Sequence, residues 1–400
     1  MTDTENNKNS NSPVLRFPGF TEPWKKCRLG DYIRIFSGES PNCVSSKFGI
    51  IPYYKVEQLN WCEKYLGETP YLSQRGKNIL PEGCVVFSKR GAAILTNKVR
   101  MNLFPINIDT NLMGIKADNS FISDQYLFYF ILRARLSRIA DTSTIPQINN
   151  IHINPITIHV PSLEEQEKIT RSLGLLDERI ATQRRLIEDL EKLKSSINET
   201  LYETLTTDCK TSFNEIGIDY GGLTGKSAED FGYGKPFISY LNVYQNQVIT
   251  DYNFDNVEIR DGENQNKVRT GDLLFTLSSE TPEEIGYSAV YMGNAKELYL
   301  NSFCFGIHIQ ESEMVYPPYM GYFTSTTYFR RKIIPYAQGS TRFNLHKPSL
   351  MNIKFSLPAK EYQIKIFNTL QLLTDKISTE IELHNRYIQQ RIYLLSKMFI

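Results

Sequence analysis

Three stretches of the chain approach motifs that would do chemistry, and each lacks the residue that chemistry needs. Gly221-Gly222-Leu223-Thr224-Gly225-Lys226-Ser227 ends like a phosphate-binding loop. That loop needs four residues between its first glycine and the Gly-Lys-Ser. Gly221 leaves three and Tyr220 stands where the glycine belongs, so the segment reads as a turn. Val315-Tyr316-Pro317-Pro318-Tyr319 falls short of the Asn/Asp-Pro-Pro-aromatic motif of DNA amino-methyltransferases, because Tyr316 cannot accept from a target amino group. Its prolines suit the first turn of a helix. A metal-dependent nuclease would need Pro-Asp followed by Asp/Glu-x-Lys. The chain has no Pro-Asp, and its only Asp/Glu-x-Lys is Asp208–Lys210. Cys27, Cys43, Cys62, Cys84, Cys209 and Cys304 are scattered, without a C-x-x-C, and the histidines lack zinc-ligand spacing. They read as reduced thiols. No catalytic residue and no metal site is assigned.

Composition bounds the rest. The 400 residues suffice for two domains and a connector, with 41% hydrophobic and 22% charged residues. No apolar run approaches the ~18 residues of a membrane span, and residues 1–14 read as a polar, disordered tail without secretory features. A cytoplasmic location is expected. The net charge is +1, but residues 12–160 hold 18 Lys/Arg against 11 Asp/Glu, whereas residues 211–357 hold 12 against 16.

The elements that must position any site follow from an internal repeat. Shifted by 197 residues, 143–201 aligns without a gap on 340–398, with 14 of 59 positions identical. Pro161 and Pro358 each close a strand-like run, Ile156–Val160 and Ile353–Leu357. Ser162 then reads as a helix N-cap, with Glu165 completing a capping box. Ile169, Leu173, Leu176, Ile180, Ile187, Leu190, Ile197 and Leu201 step by 3, 4 and 7, a heptad seam. The second copy gives Ile366, Leu370, Leu373, Ile377, His384, Tyr387, Leu394 and Met398. Because both seams keep one phase, pairing of the two helices is expected over packing of each on its own domain. Gly174 marks a possible bend. One heptad inserted after Leu190, matched after Tyr387, is expected to keep the seam in phase.

The globular parts also echo each other. Ile79–Phe87 matches Val268–Phe275, a turn glycine (Gly83 or Gly271) followed by an apolar strand, and Ile106–Ile115 matches Leu298–Ile307. An aromatic helix is expected at Tyr126–Arg138 and at Tyr319–Lys332. The fold expected is mixed α/β (α+β): two globular domains separated by two long antiparallel helices that form a coiled coil. The boundaries expected are 15–160, a helical spacer at 161–208, 209–357, and a C-terminal helix at 358–400.

Residues 161–194, PSLEEQEKITRSLGLLDERIATQRRLIEDLEKLK, resemble the central conserved region of type I restriction-modification specificity subunits. LRFPGFTEPWKKCRLGD (15–31) resembles their N-terminal signature, and GSTRFNLHKPSLMNIKFSLP (339–358) the segment closing their second recognition domain. Thr374 departs from the pattern where the first copy has Asp177. The resemblance implies two target-recognition domains, each reading one half of a split site in double-stranded DNA. It also implies partners: two methyltransferase subunits docked on helices and domains, and motor-nuclease subunits. Cofactors would be absent from this chain, with S-adenosylmethionine, ATP and Mg²⁺ on the partner subunits.

On that reading the candidate DNA-binding residues are those able to hydrogen-bond base edges, Arg/Lys to guanine, Asn/Gln to adenine and a carboxylate to cytosine. In the first domain they are Tyr53, Tyr54, Lys55, Gln58, Asn60, Ser88, Lys89, Arg90, Asn97, Lys98, Arg100, Thr144, Gln147 and Asn149. In the second they are Tyr240, Asn242, Tyr244, Ser278, Ser279, Glu280, Arg330, Arg331, Lys332, Thr341, Arg342, Asn344 and His346, with Glu280 at the place of Arg90. Phosphate anchoring suits most of the Lys/Arg better than base contact. The competing reading is a coiled-coil adaptor whose twin domains bind protein, which the acidic second domain favours.

Overall fold

The computed structural model describes residues 12–44, 49–141, 145–250, 254–310 and 314–400. The chain forms two compact units. One comprises residues 1–185 with 381–400, and the other residues 186–380. Most of the expected 1–14 tail, and Thr144, lie outside the described residues.

The first unit is built on a four-stranded antiparallel sheet in the order Ile33–Ser37, Leu112–Ala117, Val85–Ser88, Val99–Met101. Beside it lies a three-stranded sheet of Leu72–Ser73, Ile51–Tyr54 and Asn107–Ile108. The second unit repeats the plan. Its main sheet runs Gly217–Gly221, Cys304–Ile309, Leu273–Thr276, Ser288–Tyr291, Val248–Ile249. Its companion sheet is Asp255–Val257, Phe231–Ile238, Tyr299–Leu300. Both turn glycines are where the strands require them, Gly83 at φ 78° and Gly271 at φ 91°, a region that costs a side chain dearly.

The aromatic helices form but are broken. Asp124–Ala134 gives way to Leu136–Ile139 at Arg135, whose φ is 59°. Asn97 bridges the break, donating to Leu132 O (2.9 Å) and accepting from Leu136 N (2.8 Å). In the second unit Pro317–Phe323 starts on its prolines, and Thr327–Ile333 restarts after Thr326. The Thr326 hydroxyl accepts from Phe329 N and donates to Phe323 O.

The central helix, Leu163–Leu205, runs through Gly174 unbroken, and the C-terminal helix spans Lys360–Lys397. Ser162 caps the first, accepting from Glu165 N (3.3 Å). The other half of the expected capping box is absent. The Glu165 carboxylate is buried and accepts instead from Arg16 at 2.7 and 2.8 Å and from Trp24 Nε1 at 3.2 Å. Every seam residue is buried or half-buried.

The seam serves two kinds of contact. Its ends sink into domain cores: Ile169, Leu173, Leu394 and Met398 into that of the first unit, and Ile197, Leu201, Ile366 and Leu370 into that of the second. Each unit therefore holds the start of one helix beside the end of the other, running antiparallel. In the first unit Arg391 donates to Asp177 (2.9 Å) and Arg179 to the Tyr387 hydroxyl (3.1 Å). In the second, Lys194 reaches Thr374 (3.5 Å). Asp177 also accepts from Tyr129 (2.6 Å), itself the acceptor for Lys64 (2.9 Å), while Thr374 bonds Tyr322 (3.0 Å). Burial first, and then Asp177, raises the Tyr129 pKa, so its hydroxyl stays protonated. The Asp-to-Thr change thus replaces an ion pair by a contact between a lysine ammonium and a hydroxyl, on the same plan.

Candidate nucleic-acid interface

At the end of strand Val85–Ser88 the chain is stitched to the segment that closes the first domain. Lys89 N donates to Asn111 O, Ile148 N to Lys89 O and Gly91 N to Pro146 O, each at 2.8 Å, and Arg90 bridges Gln147. This holds Lys89, Arg90, Gln147 and Asn149 on one rim. Arg90 and Asn149 are exposed. Burial first, and then the neighbouring Arg90, pulls the Lys89 pKa below its usual value.

The second unit has the same rim. Leu277 N donates to Phe303 O and Leu345 N to Leu277 O, both at 2.8 Å, and Ser278 pairs with Asn344. The matched hydrogen bonds place Leu277 at the position of Lys89, Ser278 at that of Arg90 and Asn344 at that of Gln147. This corrects the expectation for Glu280, which lies two residues beyond the place of Arg90. The turn before Phe343–Leu345 exposes Thr341 and Arg342, and Asn344 and His346 are exposed beside it. His346 Nδ1 contacts Ser349 Oγ at 2.7 Å.

Packing withdraws several expected readers from solvent. Tyr53 and Tyr54 are core residues whose hydroxyls donate to Glu39 O and Gly67 O. Ser88 and Ser279 are buried and donate to Arg90 O and Thr281 O. The Ser278 side chain is buried too, while its carbonyl accepts from the Tyr240 hydroxyl (2.7 Å). Gln58 and Asn242 turn out to be equivalent helix caps, accepting from Lys55 N (2.7 Å) and Ser239 N (2.9 Å). Arg330 donates to the carbonyls of Glu283, Ile285 and Gly286 at 2.8, 2.6 and 3.2 Å, and burial pulls its pKa down. Asn97 is spent on the helix break. These polar groups are engaged within the protein.

Other expected residues are half-buried or exposed, and most are tied locally. Lys98 donates to Asn60, Arg100 to Leu59 O, Lys55 lies 3.7 Å from the Tyr71 ring centroid and Lys332 4.9 Å from that of Tyr328. Arg331 is exposed. Tyr240 stacks on Tyr244 at 5.8 Å, and Tyr244 donates to Glu284 (2.8 Å). That bond, ahead of burial, pushes the Tyr244 pKa up to about 12. Among the described residues no three His, Cys, Asp or Glu side chains gather as a metal site, and no helix is long and apolar enough to cross a membrane.

The sequence matches one family twice, over residues 21–192 and 214–386; its description is type I restriction modification DNA specificity domain. A specificity subunit of the type I restriction enzyme MjaVIII from Methanocaldococcus jannaschii is 24% identical over 393 residues, covering 91% of this chain and 88% of that protein. Among solved structures, the type I restriction-modification system S subunit from M. genitalium superposes with a TM-score of 0.53 at 15% identity, covering 97% of this chain and 99% of that one. A chain from a structure on complex assembly and conformational transition of the type I R-M system gives 0.59 at 17% identity, covering 96% and 99%.

Proposed function

The chain belongs to the family of type I restriction modification DNA specificity domains, carrying two copies, and from that premise we propose that each unit reads one half of a split, asymmetric site in double-stranded DNA. The observation behind this is the pair of rims, built on the same hydrogen bonds but bearing different side chains. A shared frame with exchanged readers suits two half-sites of unlike sequence. Lys89, Arg90, Gln147 and Asn149 serve the first half-site, and Thr341, Arg342, Asn344 and His346 the second, with the remaining exposed Lys and Arg anchoring phosphates. The helices set the spacing between half-sites and, with the domains, dock two methyltransferase subunits that methylate adenine. Motor-nuclease subunits join that assembly for restriction. The chain supplies no catalysis; S-adenosylmethionine, ATP and Mg²⁺ act on the partners, in the cytoplasm.

The test replaces residues 15–150 by the matching segment of a related subunit and maps methylated bases after co-expression with the methyltransferase. One half of the motif should change and the other persist. Change in both halves, or methylation by the purified chain alone, would sink the reading. Capture of protein partners without any DNA preference would favour the adaptor instead.

A further inference from the structure

The rims differ most at two positions that the sequence did not single out as a pair. Asn111 and Phe303 are equivalent. The N–H of each donates to an Asx side chain two residues earlier, Asp109 Oδ1 (2.7 Å) or Asn301 Oδ1 (2.8 Å). The carbonyl of each accepts the N–H of the adjoining strand end, Lys89 or Leu277. Through the pairing of Gln147 with Asn344, Ile145 is likewise the counterpart of Arg342. The first rim therefore carries an amide and an aliphatic side chain where the second carries an aromatic ring and a guanidinium. Phe303 is 54% exposed, an unusual place for a phenyl ring, and the Arg342 guanidinium carbon lies 5.6 Å from its centroid. Both backbones are fixed. Phe303 is held at its N–H and its carbonyl, and the turn before Arg342 depends on Gly339, where a Cβ would come within 2.1 Å of Arg342 O.

We propose that Arg342, held against Phe303, reads a guanine in the half-site of the second unit. A guanidinium presents a rigid fork that matches guanine O6 and N7 together. An aromatic face beneath it reduces the freedom lost on binding, and cation–π attraction holds the fork without neutralising it. A phosphate anchor needs only charge, which a mobile lysine supplies equally. Phe303 is then a positioning residue for Arg342, and the unit can tolerate its surplus of acidic residues because its reading relies on one pre-oriented cation. The inference rests on the split-site reading above.

The full chain, co-expressed with its methyltransferase, is compared with Arg342→Ala, Arg342→Lys, Phe303→Ala and Phe303→Tyr by methylation sequencing. Arg342→Ala should lower the preference for guanine at one position of one half-site by about ten- to a hundredfold. Phe303→Ala should weaken the same position to a lesser degree and Phe303→Tyr should restore it, which a general loss of folding would not do. The unchanged half of the motif, read by the first unit, reports that each variant still folds and assembles. A uniform fall in methylation on an unchanged motif would make Arg342 a phosphate contact and overturn the proposal. Loss of guanine preference in Arg342→Ala but not in Phe303→Ala would overturn the positioning role. A wild-type complex that marks no split motif would instead overturn the functional reading itself.

Discussion

At the scale of the residue, the side chains that organise each unit are polar and buried. Gln166 accepts from Ser123 N and donates to the carbonyls of Phe121 and Pro161. Gln363 repeats this on Tyr316 N, Met314 O and Pro358 O at 2.7–2.8 Å. Each thereby ties the strand that ends a domain to the loop entering its aromatic helix. Gln363→Ala should cost about 2 kcal/mol or more, because it strands buried backbone groups whose loss is worth about 1–3 kcal/mol each. Chemical denaturation would check this, and a loss under ~0.5 kcal/mol would show that water replaces the amide. An ion triad gives a pH signature. Hydrogen bonds from Lys235 and Lys267 hold the Glu297 carboxyl at about 2, below its ordinary 4.5. A depressed acid stabilises above its unfolded pKa and loses that contribution as pH falls through the folded value. The melting-temperature difference between wild type and Glu297→Gln should thus be constant above pH about 4.5 and close towards pH 2. A difference that persists at pH 2 would assign the effect to packing.

At the scale of the element, the heptad seam separates residues by what they bury. Leu173 is fully buried in the first core, whereas Leu175, two positions on, is 60% exposed. Leu173→Ala should destabilise by about 2–5 kcal/mol through the cavity it leaves, and Leu175→Ala by no more than ~0.5 kcal/mol. Equal losses, measured by denaturation, would mean that the exposed leucine packs in solution. The antiparallel arrangement also fixes where a lengthened helix must be matched. In the second unit Lys194 meets Thr374. Leu190, one turn earlier, therefore faces the turn after Thr374, near Ile377. A heptad inserted after Leu190 must be matched there, not after Tyr387. Repeat-equivalent positions are not facing positions when two helices run in opposite directions.

For the whole molecule, the prediction concerns spacing. Seven residues added after Leu190 and after Ile377 lengthen both helices by ~10 Å at 1.5 Å per residue while keeping the seam in phase. Under the proposed function, methylation sequencing should show both half-site sequences intact and a longer unread spacer between them, by about three base pairs at 3.4 Å each. Matching after Tyr387 instead should destabilise the chain, because each seam then slips against an uninserted partner. An active insertion variant with the original spacer would show that partner subunits set the distance.

Much of this protein is written along the chain. Period-3.5 apolar residues define both long helices, the 197-residue repeat defines two like units, and Gly83 and Gly271 open the central strands. These signals are local or recur in register, so one dimension suffices to see them. Tertiary structure alone decided which polar groups remain available. Gln58, Asn97, Asn242 and Arg330 have the chemistry of base readers, but folding commits them to backbone groups 3–47 residues away. It also decided equivalence at the rims. Setting Ser88-Lys89-Arg90 against Ser278-Ser279-Glu280 put Glu280 opposite Arg90, whereas strand pairing puts Ser278 there, because register is set by hydrogen bonds to Gln147 and Asn344, far off in sequence. The same pairing brings Phe303 under Arg342, a contact between residues 39 apart that no spacing rule in the sequence announces.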